Sequence, residues 1–329
     1  MKITKAAACA FMAGLIALIC AGCQKSDPSG NIVEVIPEKG DLIAEITIED
    51  YGTIKAKLFP DIAPTAVENF KLLAEQGYYD GLKIHRVAPD FMIQGGSLNG
   101  DGTGGKALVN DTGVFSTETS ENARNFYGAL GYANIDGNNT TQFYIVNNKT
   151  PIDITQYDPA KFKAAVEQLE KEKENYDPES DIVKQLTAKQ QHYTKLASML
   201  EKASDEVKER YNTIGGIPFW DGGYTVFGQV YEGYGIIEEI SKVQLTIDKN
   251  GEVTKPVKDI VISNVVVKEY DEEAKSDKDK TSSSGSSDTT SQPETAESET
   301  AEAKPDENAE NIDAPSIDEE PFDTKEAEE

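Results

Sequence analysis

The feature that most constrains the fold is a pair of short segments in which apolar residues occupy every second position. The first runs over residues 42–48 from Leu42, and the second over residues 54–58 from Ile54. Asp50-Tyr51-Gly52 lies between them and has the composition of a tight turn. A period of two puts alternate side chains on one face of a strand. The two segments therefore predict an antiparallel hairpin with one buried face.

Later segments extend this pattern. Strands are predicted at residues 142–146, 224–230 and 260–267, and a helix is predicted to begin at Pro64 and to end at Gly77. Strands joined as hairpins, few helices and no strand–helix–strand alternation indicate a mainly β fold, either a barrel or a sandwich.

One long segment, roughly Asn148 to Asn212, departs from the strand pattern. Asp158-Pro159 and Asp177-Pro178 each resemble a helix start, and the apolar residues after them recur at spacings of three, four and seven. We predict a helical hairpin inserted between two strands. Its apolar stripe is either the seam between the two helices or a groove that binds a partner.

The N-terminus resembles an export signal. Two lysines precede an apolar run from Ala6 to Gly22, which is followed by Cys23. The run is short for a membrane span, which needs about 20 apolar residues. Cys20-Ala21-Gly22-Cys23 is similar to a lipoprotein processing site, except that Cys20 stands where leucine is usual. We expect Cys23 to be lipidated; an uncleaved anchor is the alternative. Either case predicts a location at the outer face of the cell membrane.

Cysteine and histidine usage limits the chemistry. All three cysteines lie in residues 1–23, and the two histidines are His85 and His192. The exported body therefore has no thiol for a disulfide, a nucleophile or a thiolate metal site. A multi-histidine metal site is not expected either, and we expect no metal and no cofactor.

The acidic charge is concentrated at the C-terminus. The whole chain has a net charge of −27, and residues 271–329 contain 21 acidic and 5 basic residues, a net charge of −16. This segment has few large apolar residues, so we expect disorder and a role as a solvated spacer. The negative charge argues against nucleic acid as a partner. We divide the chain into a signal peptide (1–22), a linker (23–40), a discontinuous β domain (41–147 and 213–269), the insertion (148–212) and an acidic tail (270–329).

Residues 100–106 match two phosphate-binding patterns. Gly100 to Gly105 fits the dinucleotide pattern, and Lys106 completes a phosphate loop. The dinucleotide pattern requires a helix directly after it, and residues 106–111 do not have the sequence of a helix N-terminus. The second needs Ser or Thr after the lysine, where this chain has Ala107. Neither pattern predicts a nucleotide site.

The same segment carries a closer resemblance, to the cyclophilin-type peptidyl-prolyl isomerases. Its blocks within residues 83–105 are His85-Arg86, Pro89, Phe91-Met92, Gln94-Gly95-Gly96 and Gly102-Thr103-Gly104-Gly105. Four further blocks occur in the family's order: Ala63 to Phe70, Ala133-Asn134, Thr141 to Ile145 and Phe219 to Gly228. The resemblance covers residues 41–146 and 213–269.

This resemblance implies a closed eight-stranded antiparallel barrel capped by two helices, and an isomerase of Xaa-Pro bonds. Arg86 is expected to bond the prolyl carbonyl, with Gln94 orienting it and His85 helping to position the peptide. The residues expected to bind substrate are Phe91, Met92, Asn134, Tyr144, Phe219, Trp220 and Tyr224.

Several positions depart from the family pattern. The family usually has phenylalanine at Tyr144, leucine at Trp220, tryptophan at Phe219 and often histidine at Tyr224. Trp220 adds bulk at the pocket wall, so we expect a narrower slot, a lower rate and fewer substrates. The leading hypothesis is an isomerase that assists the folding of exported proteins. The alternatives are a peptide-binding holdase with little turnover and a surface lipoprotein with a structural role.

Overall fold

The structure is a computed structural model that describes residues 36–271 of the chain. The predicted signal peptide, the lipidation site Cys23, most of the linker and nearly all of the acidic tail lie outside this range. Among residues 36–271, no helix combines the length and the apolar character that a membrane crossing requires.

Eleven strands and five α-helices lie within the described range. The strands are β1 (Leu42–Ile48), β2 (Gly52–Leu58), β3 (Ile84–Ala88), β4 (Met92–Gly95), β5 (Phe115–Ser116), β6 (Ala129–Ile135), β7 (Asn138–Val146), β8 (Thr225–Glu232), β9 (Leu245–Ile247), β10 (Val253–Pro256) and β11 (Ile262–Glu269). The α-helices are α1 (Pro64–Glu75), α2 (Pro159–Lys173), α3 (Asp181–Glu201), α4 (Asp205–Ile214) and α5 (Tyr234–Ile240), and short 3₁₀ helices span Ile154–Gln156 and Pro218–Trp220.

The strands form a curled antiparallel sheet. Its hydrogen-bonding order is β11-β1-β2-β8-β6-β7-β4-β3, with β5 joined to β7. The predicted hairpin of residues 42–58 is confirmed as β1 and β2, with Ile46 opposite Ile54. β9 and β10 pair separately as a two-stranded sheet. The fold is therefore mainly β, as the sequence predicted.

The two ends of the sheet approach each other without forming a continuous ladder. The N–H of Ile262 donates to the carbonyl of Leu82 at 2.8 Å, and the N–H of Ile84 donates to the carbonyl of Ile260 at 2.9 Å. Beyond Ile84, β3 packs beside β10. The sheet is therefore a half-barrel, and the prediction of a closed barrel is wrong in this respect.

The main core lies inside the curl, where the alternating side chains of β1 and β2 meet α1 and α5. Phe70 of α1 is fully buried and contacts the rings of Tyr79, Phe143 and Phe227 at centroid distances of 5.1, 5.8 and 5.1 Å. Pro64 opens α1, as expected of a residue whose missing N–H costs nothing in a first helical turn.

The segment between β7 and β8 contains three helices where the sequence predicted two. The apolar stripe forms a seam between α2 and α3, in which Phe162 and Leu169 pack with Tyr193 and Leu196. α3 begins at Asp181, because Ser180 caps it by accepting from the N–H of Val183. α4 was not predicted, since it is short and follows α3 after only three residues.

Candidate active site

Arg86 lies in the β3–β4 hairpin, where it stands opposite Gln94 in the antiparallel register. The turn between the strands includes Asp90 at φ 55°, a backbone conformation that Asp tolerates because its short side chain bonds locally. The side chain of Arg86 is only 4% exposed. A permanently charged group at this depth requires a compensating partner.

Glu252 is such a partner. Its Oε2 lies 2.9 Å from Nη2 of Arg86. Glu252 ends the tight turn between β9 and β10 (residues 248–252), and its side chain is 30% exposed. Sequence reasoning missed this residue, because one acid in a polar turn carries no motif and stands 166 positions from Arg86.

Gln94 is fully buried and belongs to a chain of amide hydrogen bonds. Its Nε2 donates to Oε1 of Gln142 at 3.0 Å, and Nε2 of Gln142 donates to the carbonyl of Gly102 at 3.0 Å. These bonds connect β4 to β7 and then to the glycine-rich loop of residues 100–105. That loop therefore helps to hold the site in shape through the main-chain carbonyl of Gly102.

Five of the predicted substrate-binding residues lie together, and we call them the aromatic cluster: Phe91, Met92, Tyr144, Trp220 and Tyr224. The centroid of the Trp220 ring lies 4.8 Å from that of Phe91 and 4.9 Å from that of Tyr144, and both contacts are edge-to-face. The same ring stacks on Tyr224 at a centroid distance of 4.5 Å. Met92 and Tyr144 are fully buried, and Trp220 is 2% exposed. Phe91 and Tyr224 are the most exposed members, at 8% and 9%.

The hydroxyl group that distinguishes Tyr144 from phenylalanine has a partner. It donates to Oδ1 of Asn125 at 2.6 Å. Burial raises the pKa of Tyr144 well above its ordinary value, and the nearby Tyr224 and Asp221 raise it further. Gly131 makes room for the ring, since a Cβ there would lie 2.4 Å from it. The phenol is therefore accommodated as a neutral hydrogen-bond donor.

The other predicted site residues lie at the edges of this cluster. Nδ2 of Asn134 donates to the carbonyl of Gly223 at 3.1 Å. Phe219 faces the insertion, with its ring 6.3 Å from that of Phe162. His85 is buried and adjoins Arg86 on β3, at a shift in the register between β3 and β4.

A cleft of about 490 Å³ runs beside the cluster. One wall is the β6–β7 turn with Asn134 and Asp136, and the other is α3 with Leu186 and Lys189. Trp220 and Tyr224 line its end. The insertion thus forms part of the surface next to the proposed proline pocket.

α3 packs directly on the wall that carries Trp220. Nε2 of His192 lies 2.9 Å from the carbonyl oxygen of Phe219 and must donate, because a carbonyl only accepts. A Cβ on Gly223 would lie 2.6 Å from the His192 ring, so glycine permits this approach. The pKa of His192 is lowered to about 4, mainly because the ring is removed from solvent. The bond to Phe219 raises this pKa, and the positive charges of Lys195 and Lys189 lower it. The imidazole is neutral at pH 7.

A buried network around Asp221 connects the insertion to the cluster. Its carboxylate accepts from Nη1 of Arg124 at 3.0 Å, from the N–H of Asn125 at 2.9 Å and from the Tyr211 hydroxyl at 2.8 Å. Arg124 also donates to the carbonyl of Met199 in α3 at 3.1 Å. Sequence reasoning missed this network, because its members are up to 97 positions apart.

Among residues 36–271, no group of three or more histidine, cysteine or carboxylate side chains has an arrangement that would hold a metal ion. The site consists of one buried guanidinium group, two buried amides and a set of aromatic rings. These groups offer hydrogen-bond donation and an apolar surface.

Comparison with known proteins identifies the class. The family profile described as cyclophilin type peptidyl-prolyl cis-trans isomerase/CLD matches residues 43–267. A Staphylococcus aureus (strain USA300) protein named as a peptidyl-prolyl cis-trans isomerase is 34% identical over 224 residues, which cover 66% of this chain and 88% of that protein. A Staphylococcus haemolyticus (strain JCSC1435) protein of the same name is 36% identical over 219 residues, with coverages of 66% and 87%.

Solved structures give a more distant likeness. A cyclophilin type isomerase of Cryptosporidium parvum has a TM-score of 0.45 at 20% identity, covering 70% of this chain and 99% of that one. The same protein crystallised in the presence of the dipeptide Ala-Pro has a TM-score of 0.44.

The family profile and the staphylococcal relatives show that the chain belongs to the cyclophilin-type peptidyl-prolyl cis-trans isomerases. It is an enzyme of that class, with three α-helices between β7 and β8.

Proposed function

We propose that this isomerase acts on Xaa-Pro bonds of exported polypeptides and assists their folding, with Arg86 as the catalytic residue. The observation that carries the proposal is the position of Arg86, a buried guanidinium opposite Gln94 in the β3–β4 hairpin. The motifs of residues 85–96, which resemble the family's signature, support the same assignment.

The reaction requires few catalytic groups. Rotation about an Xaa-Pro bond crosses a barrier of about 18–20 kcal/mol, because twisting removes amide resonance. Uncatalysed exchange takes tens to hundreds of seconds, on the order of the slowest folding steps. A rate increase of about five decades requires about 7 kcal/mol of selective stabilisation of the twisted state. No nucleophile and no metal is needed for this.

Arg86 would supply part of that stabilisation. An N–H of its guanidinium would donate to the carbonyl of the proline, and the guanidinium would favour the pyramidal nitrogen of the twisted amide over the planar nitrogen of the resting one. The charge on arginine is permanent, so its donor capacity does not depend on pH near neutrality. A donor held in a site with little water stabilises developing charge more strongly than it would in solvent. Gln94, fixed by its bond to Gln142, would maintain the geometry beside Arg86.

The aromatic cluster would bind the pyrrolidine ring. Phe91 and Tyr224 are its most exposed members, so the ring would enter between them and contact Met92 and Tyr144 behind. The peptide on either side of the proline would lie along Asn134 and the cleft beside α3. Because Trp220 occupies the centre of the cluster, entry requires side-chain movement, and we expect slower turnover than an open pocket would allow.

The cellular location is a second part of the proposal. The apolar run of residues 6–22 followed by Cys23 supports export and lipid anchoring at the outer face of the cell membrane. The substrates would then be proline-containing polypeptides newly exported across that membrane. Substitution of Cys23→Ala should release the chain from the membrane fraction, and mass spectrometry of the wild-type N-terminus should detect a lipidated cysteine. An unmodified Cys23 would contradict the anchor.

The direct test of activity uses the full chain and an Ala-Ala-Pro-Phe peptide in exchange NMR. We expect acceleration of cis–trans exchange at substoichiometric enzyme concentrations. Absence of acceleration, with the peptide still causing chemical-shift changes, would favour the holdase alternative. The closed aromatic cluster and the pairing of Arg86 are the observations that favour that alternative.

A further inference from the structure

We propose that Glu252 competes with the substrate for Arg86 and so sets the affinity of this isomerase for Xaa-Pro peptides. The inference rests on the proposed role of Arg86. It assigns a function to a residue outside the motifs that resemble the family, and to a hairpin that takes no part in the main sheet.

The contact itself is the first step of the argument. Oε2 of Glu252 lies 2.9 Å from Nη2 of Arg86, within the distance of a charge-assisted hydrogen bond. The arginine side chain is 4% exposed and the glutamate side chain 30% exposed. The carboxylate is therefore the more exposed member of the pair, and an incoming carbonyl oxygen would compete with it for the donors of the guanidinium.

The second step is that the turn holds Glu252 in place. The Asp248 carboxylate accepts from the N–H groups of Asn250 and Glu252, each at 2.9 Å, and from the Thr254 hydroxyl at 3.0 Å. The N–H of Asp248 donates to the carbonyl of Glu252 at 2.7 Å. The backbone of Glu252 is thus held within its own turn by bonds that do not involve Arg86.

The third step is that the pair can open. β9 and β10 form a sheet of their own, so a small shift of the hairpin would break no hydrogen bond of the main ladder and would change only the packing of β10 beside β3. The partial exposure of Glu252 also gives its carboxylate water to replace the lost contact. A carbonyl oxygen is a weaker acceptor for a guanidinium than a carboxylate is. Displacing Glu252 therefore costs the substrate binding free energy. The apparent affinity is lower than the intrinsic affinity because only a fraction of the enzyme is in the open state.

Neutral or shortened side chains test this. In the full chain, Glu252→Gln should lower KM by about three- to tenfold, as expected for loss of one partly exposed charge-assisted bond, with kcat close to wild type. Glu252→Asp keeps the charge but is one methylene shorter, so it should lower KM by a smaller factor. Glu232→Gln removes the same charge from the Lys55–Glu232 surface pair and should leave KM unchanged.

The KM-against-kcat split is the informative readout, since a general loss of structure would lower kcat and the unfolding temperature. An unchanged or higher KM in Glu252→Gln, or a reduced kcat at an unchanged unfolding temperature, would overturn the proposal. The reduced kcat, in particular, would show that Glu252 holds Arg86 in its productive position.

Peptide binding separates this proposal from the proposed function. If the wild-type chain shows no exchange, NMR titration with the same peptide still measures affinity. Tighter binding by Glu252→Gln would support competition even though the isomerase assignment had failed. Equal affinity of both chains would overturn the competition and leave the isomerase assignment to its own test.

Discussion

The hydroxyl of Tyr211 donates to the carboxylate of Asp221 at 2.8 Å, so the last helix of the insertion shares a buried acid with the wall of the aromatic cluster. Asp221 directly follows Trp220, and the same carboxylate binds Arg124 and Asn125. The insertion is therefore built into the site rather than appended to it.

A first prediction concerns the ion pair of Asp221 and Arg124, whose side chains are 2% and 3% exposed. Replacement of Asp221 by Asn leaves a buried guanidinium without its counter-charge, which typically costs about 3–5 kcal/mol. We expect the free energy of unfolding in urea to fall by an amount of this order. Asp259→Asn, which removes an acid from an exposed pair with Lys83, is the control and should change stability by less than about 1 kcal/mol. Equal effects of both substitutions would show that the network contributes no special stability.

A second prediction concerns the phenol of Tyr144. Tyr144→Phe removes the donor to Asn125 and leaves a buried amide oxygen with one partner fewer, at a cost of about 1–3 kcal/mol. The ring and its packing are retained, so we expect the isomerisation rate to stay within about twofold of wild type, well under the tenfold change that 1.36 kcal/mol would produce. Chemical denaturation and peptide exchange measure the two effects separately. A large loss of rate at unchanged stability would mean that the hydroxyl takes part in catalysis.

Trp220 gives a third prediction. Trp220→Leu removes the ring that stacks on Tyr224 and touches Phe91, which opens the cluster and leaves a partly filled cavity. Stability should fall by about 2–4 kcal/mol, in the range of large-to-small core substitutions. KM for Xaa-Pro peptides should fall at the same time, because the pyrrolidine ring no longer has to displace the indole. A rise in KM would show instead that Trp220 forms the binding surface.

His192 makes stability depend on pH. Its pKa is about 4 in the folded protein, against an ordinary value of 6.5. Between these two pH values the unfolded chain binds a proton at His192 and the folded chain does not. The contribution of His192 to the free energy of unfolding is therefore fully present above pH 6.5 and is lost as the pH falls toward 4. His192→Gln lacks this contribution. Comparing unfolding free energies at pH 7.5 and pH 4.5, we expect a larger loss for wild type than for the variant. Equal losses would place the His192 ring in solvent.

Much of the fold follows from short-range patterns. The period of two in residues 42–48 and 54–58 predicted β1 and β2, and Pro64 predicted the start of α1. The exact start of a helix was harder to predict from the sequence. The sequence predicted a helix start at Asp177-Pro178, whereas α3 begins after Ser180, which accepts from the N–H of Val183. The sheet does not close between β3 and β11, because β3 packs beside β10. No local sequence pattern specifies that packing.

The same distinction applies to the site. The resemblance named Arg86, Gln94 and the aromatic residues by their order in the chain. It could not supply Glu252 or Arg124, because their importance arises from long-range contacts with Arg86 and Asp221. It also left open how Trp220 is accommodated, which the stacking on Tyr224 now describes.

The central claim is that Arg86 carries the isomerase activity, and exchange NMR of an Xaa-Pro peptide with the full-length Arg86→Ala chain tests it most directly. Loss of a charged donor to the twisted amide should reduce kcat/KM by about two to three decades, since such a donor contributes about 2.7–4 kcal/mol in other enzymes. Lys55→Ala, which removes a cation from a surface pair, should match wild type. Exchange by Arg86→Ala at the wild-type rate, in a chain that remains folded, would contradict the account.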